Sequence, residues 1–90
     1  MLEEVVEDGL VGGVEALGGL CLKLNPLWYV GIPDRLLLLP GGRVTFVELK
    51  TIGGRVKRKQ SRWHERLRAL GFRVEVLWTL EQVNDFLGSL

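Results

Sequence analysis

Ninety residues with 47% hydrophobic and 26% charged side chains make one globular domain, residues 1–90, with one core and little apolar surplus. A net charge of +1 points to no partner by itself, and one cysteine, Cys21, excludes an internal disulfide and a zinc site built from several thiolates. No window approaches the roughly eighteen apolar residues of a membrane span, and the acidic N-terminus is unlike a signal peptide, so an intracellular, cytoplasmic protein outside the membrane is expected.

Residues 2–17 place Leu2, Val5, Val6, Leu10, Val14 and Leu17 on the i, i+3, i+4, i+7 stripe of an amphipathic helix. Gly12 and Gly13 fall inside it, where the helix bends or another backbone comes close; Gly18-Gly19 ends it. Glu7 borders the apolar face. Leu20–Leu24 read as a first strand, with Cys21 as a small core residue, and Asn25-Pro26 ends the strand. Leu27-Trp28-Tyr29-Val30 reads either as a strand extension or as an ordered loop.

Two further strands, roughly 34–39 and 43–50, flank Pro40-Gly41-Gly42 and form an antiparallel hairpin. Four leucines at 36–39 imply a strand covered on both faces. Pairing Leu39 with Val44 across the turn puts Asp34 opposite the Glu48–Leu49 region. Glu48 and Lys50 are two apart and share a face. Two acids and a lysine thus converge at the open end of one apolar hairpin, where strand propensity disfavours them; such local conflicts tend to mark functional sites.

After the loop 51–54, a helical period returns over 56–70 with Trp63, Leu67 and Leu70 inward. Gln60 precedes Trp63 by one turn and points at something polar, for which the acidic cluster is the candidate. His64 falls off that stripe and reads as a surface residue. Gly71 caps the helix, 72–78 forms a fourth strand, and Thr79 with Gln82 opens a last helix, about 80–88. Trp63, Trp78 and Phe46 are expected in the core. The link from strand 43–50 through helix 56–70 to strand 72–78 is a βαβ crossover, so that strand pair is parallel and the fold is α/β, a mixed sheet flanked by helices.

Charge is unevenly placed. The first fifteen residues hold five acids and no base, whereas Arg55–Arg68 hold seven bases and one acid. Arg55, Lys57, Arg58, Lys59, Arg62 and Arg66 line a basic stripe that is either a solvated helix face or a set of phosphate contacts, the term that dominates nucleic-acid affinity. Two carboxylates beside a lysine suit a hard divalent cation, Mg²⁺ or Mn²⁺, which takes few carboxylates and uses substrate phosphate oxygens as further ligands. Such an ion polarises a phosphoryl oxygen and acidifies water, and a neighbouring lysine offsets transition-state charge. Cation site, lysine and basic stripe together point to phosphodiester hydrolysis. Trp28 and Tyr29, just before the acidic loop, either stack on unpaired bases or pack internally.

Gly31-Ile32-Pro33-Asp34 and, with thirteen residues between Asp34 and Glu48, Glu48-Leu49-Lys50 resemble the PD-(D/E)xK nuclease signature. The Gly-hydrophobic-Pro-Asp form, the Gly-Gly at the end of the first helix and the glutamine after a basic loop are similar to the stand-alone VRR-NUC type. That resemblance implies a restriction-endonuclease-like αβββαβ core. It implies metal ligation by Asp34, Glu48 and the Leu49 backbone carbonyl, with Lys50 as the catalytic lysine and Gln60 as an additional catalytic glutamine. A first-helix glutamate also belongs to the site, Glu7 by its position, with Glu3 and Glu4 as alternatives. The small members are likened to Holliday-junction resolvases. A homodimer cutting branched DNA, leaving 5′-phosphate and 3′-hydroxyl ends, is therefore expected; a flap, nick or duplex nuclease and a non-catalytic DNA-binding module are the rivals.

Overall fold

The hairpin carrying the acidic cluster forms the middle of the sheet. The computed structural model describes residues 3–90; Leu2, counted above in the first helical stripe, lies outside the described residues. The chain runs α1 (Glu3–Ala16), β1 (Leu20–Lys23), β2 (Arg35–Leu39), a 3-10 turn (Pro40–Gly42), β3 (Arg43–Leu49), α2 (Arg58–Ala69), β4 (Arg73–Leu77) and α3 (Leu80–Gly88). Sheet order is β1-β2-β3-β4, antiparallel except for the β3–β4 pair, which is parallel across the α2 crossover. This is the expected αβββαβ arrangement with α3 added. Leu27–Val30 is a loop rather than a strand extension.

The hairpin register differs by one residue from the expected pairing. Leu39 pairs with Arg43 and Leu38 with Val44. The cause is the turn: Gly41 and Gly42 both take positive φ, 81° and 74°, so three residues, Pro40 to Gly42, reverse the chain where a Leu39–Val44 pair would leave four, and Arg43 already joins the strand. The slip matters because strand faces alternate. With Arg35 opposite Val47, the same register carried one step back sets Asp34 level with Glu48, inside the Glu48–Leu49 region expected from the sequence.

One sheet face carries the core. Val6, Leu10 and Val14 of α1, four residues apart, meet Leu37, Leu39, Val47 and Leu77 from the strands and Val83 and Phe86 of α3. Burial of each such side chain contributes about 1.5–3 kcal/mol. Val5 and Leu17 stay exposed, so the buried stripe of α1 is narrower than expected. Helix α1 passes Gly12 and Gly13 without interruption, and a side chain at Gly13 would collide with Leu87, so the glycine admits α3 at close range. Cys21 is half-buried at the edge of this core. Thr79 caps α3, its Oγ1 accepting from the Gln82 amide at 3.1 Å while Gln82 Oε1 accepts from the Trp78 amide at 2.6 Å.

The opposite face is covered only in part, because α2 packs against β4. Leu36 is half-buried and Leu38 exposed, so β2 is not covered on both sides. Helix α2 buries His64 and Leu67 and leaves Leu70 exposed. The inward stripe is Gln60–His64–Leu67, spaced by four and three, rather than Gln60–Trp63–Leu67–Leu70. Trp63, Trp78 and Phe46, expected in the core, are each half-buried instead: Trp63 faces the 25–31 loop and Phe46 packs edge-on against Phe72 at 5.6 Å. Among the described residues no helix is long and apolar enough to cross a membrane.

Candidate active site

Three elements bring the site together. The chain enters β2 through Pro33-Asp34, leaves β3 through Glu48-Leu49-Lys50, and crosses back in α2 with Gln60 and His64 facing the sheet. A cleft of about 200 Å³ is lined by Asp34, Glu48, Leu49, Lys50 and Gln60, with Glu7 of α1 on its other wall. Glu3 shares that wall, while Glu4 does not line the cleft. A larger cleft of about 460 Å³ adjoins it through Glu3, Leu49 and Lys50. The side chains singled out from sequence as Asp34, Glu48, Lys50, Gln60 and Glu7 thus border one cleft.

Asp34 is fixed by its backbone neighbour across the hairpin: Oδ2 accepts from the Leu49 amide at 2.8 Å. Its own carbonyl accepts from the Leu24 amide at 2.8 Å, tying the entry to β2 onto β1. Glu48 is 1% exposed, although it is the one carboxylate on an otherwise apolar stretch of β3. Burial, then a hydrogen bond with Asp34 and the Asp34 charge, push its carboxyl up from 4.5 to about 8, against the pull of Lys50. Lys50 stays on the sheet by donating its amide to the Leu77 carbonyl at 2.9 Å.

Two features were not foreseen. His64 is 3% exposed and sits behind Glu48, its Nε2 3.6 Å from Glu48 Oε1; neither atom has a hydrogen-bond partner. The surface assignment of His64 is therefore corrected. Spacing from Gln60 by four residues, rather than to Trp63 by three, was the available signal. Burial, then the charges of Arg68 and Lys50, hold the His64 pKa below its ordinary value, with Asp34 opposing. The second feature is Arg35, 9% exposed on the core-facing side of β2, which pairs with Glu7. An inward arginine two residues before Leu37 needs a partner, and Glu7 supplies it. Gln60 also has a local duty: its Oε1 accepts from the Lys57 amide at 2.8 Å and caps α2.

The cleft fits a hard divalent cation on its own chemistry. Glu48 Oε1 is a buried carboxyl oxygen without a partner, next to a second carboxylate, and burial and the Asp34 charge together raise its pKa further than Lys50 lowers it, so a cation placed between the two acids would offset that cost. Among the described residues no group of three or more His, Cys, Asp or Glu gathers to hold a metal. Two carboxylates with open positions suit magnesium, which keeps waters and substrate oxygens, better than a closed imidazole or thiolate cage. Arg55, Lys57, Arg58, Lys59, Arg62 and Arg66 are all exposed, and those from Lys57 to Arg66 flank the 27–31 loop that leads to Asp34.

A mixed sheet whose central hairpin brings Asp34 and Glu48 to one cleft, with Lys50 two residues on, is the arrangement of the PD-(D/E)xK nuclease class. The model of the VRR-NUC domain matches residues 15–79. A protein of Acyrthosiphon pisum secondary endosymbiont phage 1, named "Putative nuclease p44", is 43% identical over 75 residues, which is 83% of this chain and 81% of that one. A solved structure described as a VRR_NUC domain superposes with a TM-score of 0.87 at 37% identity, over 96% of this chain and 94% of that chain. The chain belongs to the VRR-NUC family of nuclease domains.

Proposed function

We propose that this domain is a divalent-metal-dependent, structure-selective DNA endonuclease that hydrolyses phosphodiester bonds, and that it works as a homodimeric Holliday-junction resolvase on intracellular DNA. The observation that carries the reading is that Asp34, Glu48 and Lys50 line one cleft, with a basic helix beside it. In this reading a water attacks phosphorus in line with the 3′ oxygen, which departs, leaving 5′-phosphate and 3′-hydroxyl ends. Lys50 orients the water and offsets negative charge as it develops on the phosphoryl oxygens. Asp34, Glu48 and the Leu49 carbonyl would hold Mg²⁺ or Mn²⁺, which when bound supplies Lewis-acid polarisation of the phosphoryl group. His64, packed behind Glu48, limits where that carboxylate can turn. Gln60 sets the start of α2 against the cleft, and Glu7 holds Arg35 at its wall. Arg55, Lys57, Arg58, Lys59, Arg62 and Arg66 take the DNA backbone.

Dimer formation has support in the uncovered sheet face. Leu20 and Leu22 on the edge strand β1, and Leu38 beside them, are all exposed and lie on the face that α2 leaves open. A second copy covering that face would remove this apolar surface from water, and a two-fold pair presents two equivalent clefts to a symmetric junction. The test incubates a labelled four-way junction, a flap and a linear duplex with Mg²⁺, Mn²⁺ or EDTA. Paired symmetric nicks in the junction, absent in EDTA, support the resolvase. Cutting of the flap or duplex alone supports a different nuclease, and tight binding without cleavage in either metal supports a binding module.

A further inference from the structure

The Leu27–Val30 loop, which leads into Asp34 and borders the basic residues of α2, exposes four consecutive apolar side chains. Trp28 is 68% and Tyr29 60% exposed, and Leu27 and Val30 are exposed with them. Apolar surface of this kind, rimmed by charge, marks a binding face. The loop is held in place at several points. The Leu27 amide donates to Asn25 Oδ1 at 2.9 Å, and the Ile32 amide to the Tyr29 carbonyl at 3.1 Å. Trp63 of α2 donates its indole N–H to the Val30 carbonyl at 3.1 Å and meets the Tyr29 ring edge-on at 5.7 Å. Gly31, at φ +91°, packs so closely that an added Cβ would lie 2.8 Å from the Lys59 backbone. The apolar surface is therefore presented on a fixed support and does not collapse into the core.

Its surroundings narrow the choice of partner. Lys59, Arg62 and Arg66 border Val30 and Trp63, with the Arg66 guanidinium 5.5 Å from the Trp63 ring centroid. Three residues past Val30 the chain reaches Pro33 and then Asp34. An occupant must offer flat apolar faces and negative charge together. Unpaired nucleotides do so; a fully paired duplex hides its base faces in the stack, and an apolar protein surface brings no phosphates for the basic rim.

We infer that Trp28 and Tyr29 form a stacking ledge for bases unpaired at a branch point, and that this ledge, rather than the cleft itself, distinguishes branched DNA from linear duplex. The inference rests on the nuclease reading for the direction of the substrate, and it assigns the specificity of that site to a loop outside it.

The test places 5-iodouracil at the branch of a four-way junction or in the middle of one arm, binds each to the full chain in EDTA, and irradiates. Trypsin releases Leu24–Arg35 as one peptide carrying Trp28 and Tyr29, separate from the Trp63 and Trp78 peptides. Crosslinks to Leu24–Arg35 from the branch and not from the arm are expected. In parallel, Trp28→Ala should lower the ratio of junction to duplex affinity about tenfold, and Trp28→Phe should restore most of it. Crosslinks at the branch to other peptides only, or an equal loss of affinity for both DNAs in Trp28→Ala, would overturn the inference. So would a Trp28→Ala variant that becomes monomeric with its affinity ratio intact, since the loop would then be a contact between two copies. Because binding is read in EDTA, a protein that cuts nothing defeats the nuclease reading without touching this result.

Discussion

Replacing Glu48 with Gln removes a charge from a position that is 1% exposed while keeping the shape of the side chain. In the folded protein the Glu48 carboxyl titrates at about 8, against an ordinary 4.5. Between those pH values the folded state holds a proton that the unfolded chain releases. The stability from this group is therefore fully present below pH 4.5 and is lost as pH rises through about 8. At ~1.36 kcal/mol per pH unit the displacement bounds the loss at about 5 kcal/mol. Water reaching the cleft returns part of it, and roughly 2 kcal/mol is expected at pH 9. For a domain of this size that corresponds to a difference of about 10 °C in Tm. Thermal melts followed by circular dichroism in EDTA should give nearly equal Tm values for wild type and Glu48→Gln at pH 4, with the variant higher by about that amount at pH 9. Excess Mg²⁺ should narrow the gap at pH 9 by binding folded wild type. A wild type at least as stable as Glu48→Gln at pH 9 in EDTA would refute the account of a buried, uncompensated carboxylate.

Other substitutions separate roles within the site. Lys50→Ala should abolish detectable cleavage while leaving junction affinity within about twofold, read by gel shift in EDTA beside a cleavage assay in Mg²⁺. The double variant Arg58→Ala, Arg62→Ala should weaken binding to every DNA tested and reduce the slope of log K against log salt by about 2, a loss of roughly 0.9 for each phosphate contact. Gly31→Ala, at a positive φ and against the Lys59 backbone, should cost about 1–3 kcal/mol in denaturant melts, because the side chain has neither room nor a favourable backbone there. Leu10→Ala, at a fully buried position between α1 and the sheet, should cost about 2–5 kcal/mol at an unchanged pH profile of cleavage.

Much of the fold could be read from the chain because its signals were local. Pro-Gly-Gly between two apolar runs, Gly-Gly after the first helix and Thr79 with Gln82 at the last one each act on their own neighbours, and all three elements lie where those residues put them. What was not legible depended on contacts between elements. The register turned on how many residues the Pro40–Gly42 turn uses, which two glycines at positive φ decide. The inward face of α2 turned on where the helix sits on the sheet: resting against β4, it sends His64 behind Glu48 and swings Trp63 toward the 25–31 loop. Hydropathy ranks tryptophan above histidine for burial, yet the space behind a carboxylate suits an imidazole better than an indole. Arg35 was overlooked because a charge in a short apolar strand reads as an edge residue until its partner Glu7, far away in sequence but in contact in space, is placed by α1.

The central claim is that Asp34 and Glu48 act on phosphodiesters with the help of a divalent cation. The most direct check is the single-turnover rate of four-way-junction cleavage in Mg²⁺ for wild type and for Asp34→Asn, each at saturating protein. The account predicts cleavage by wild type that stops in EDTA, and a rate at least about a hundredfold lower for Asp34→Asn. Wild-type cleavage that persists in EDTA, or an Asp34→Asn variant that cuts as fast as wild type, would contradict it.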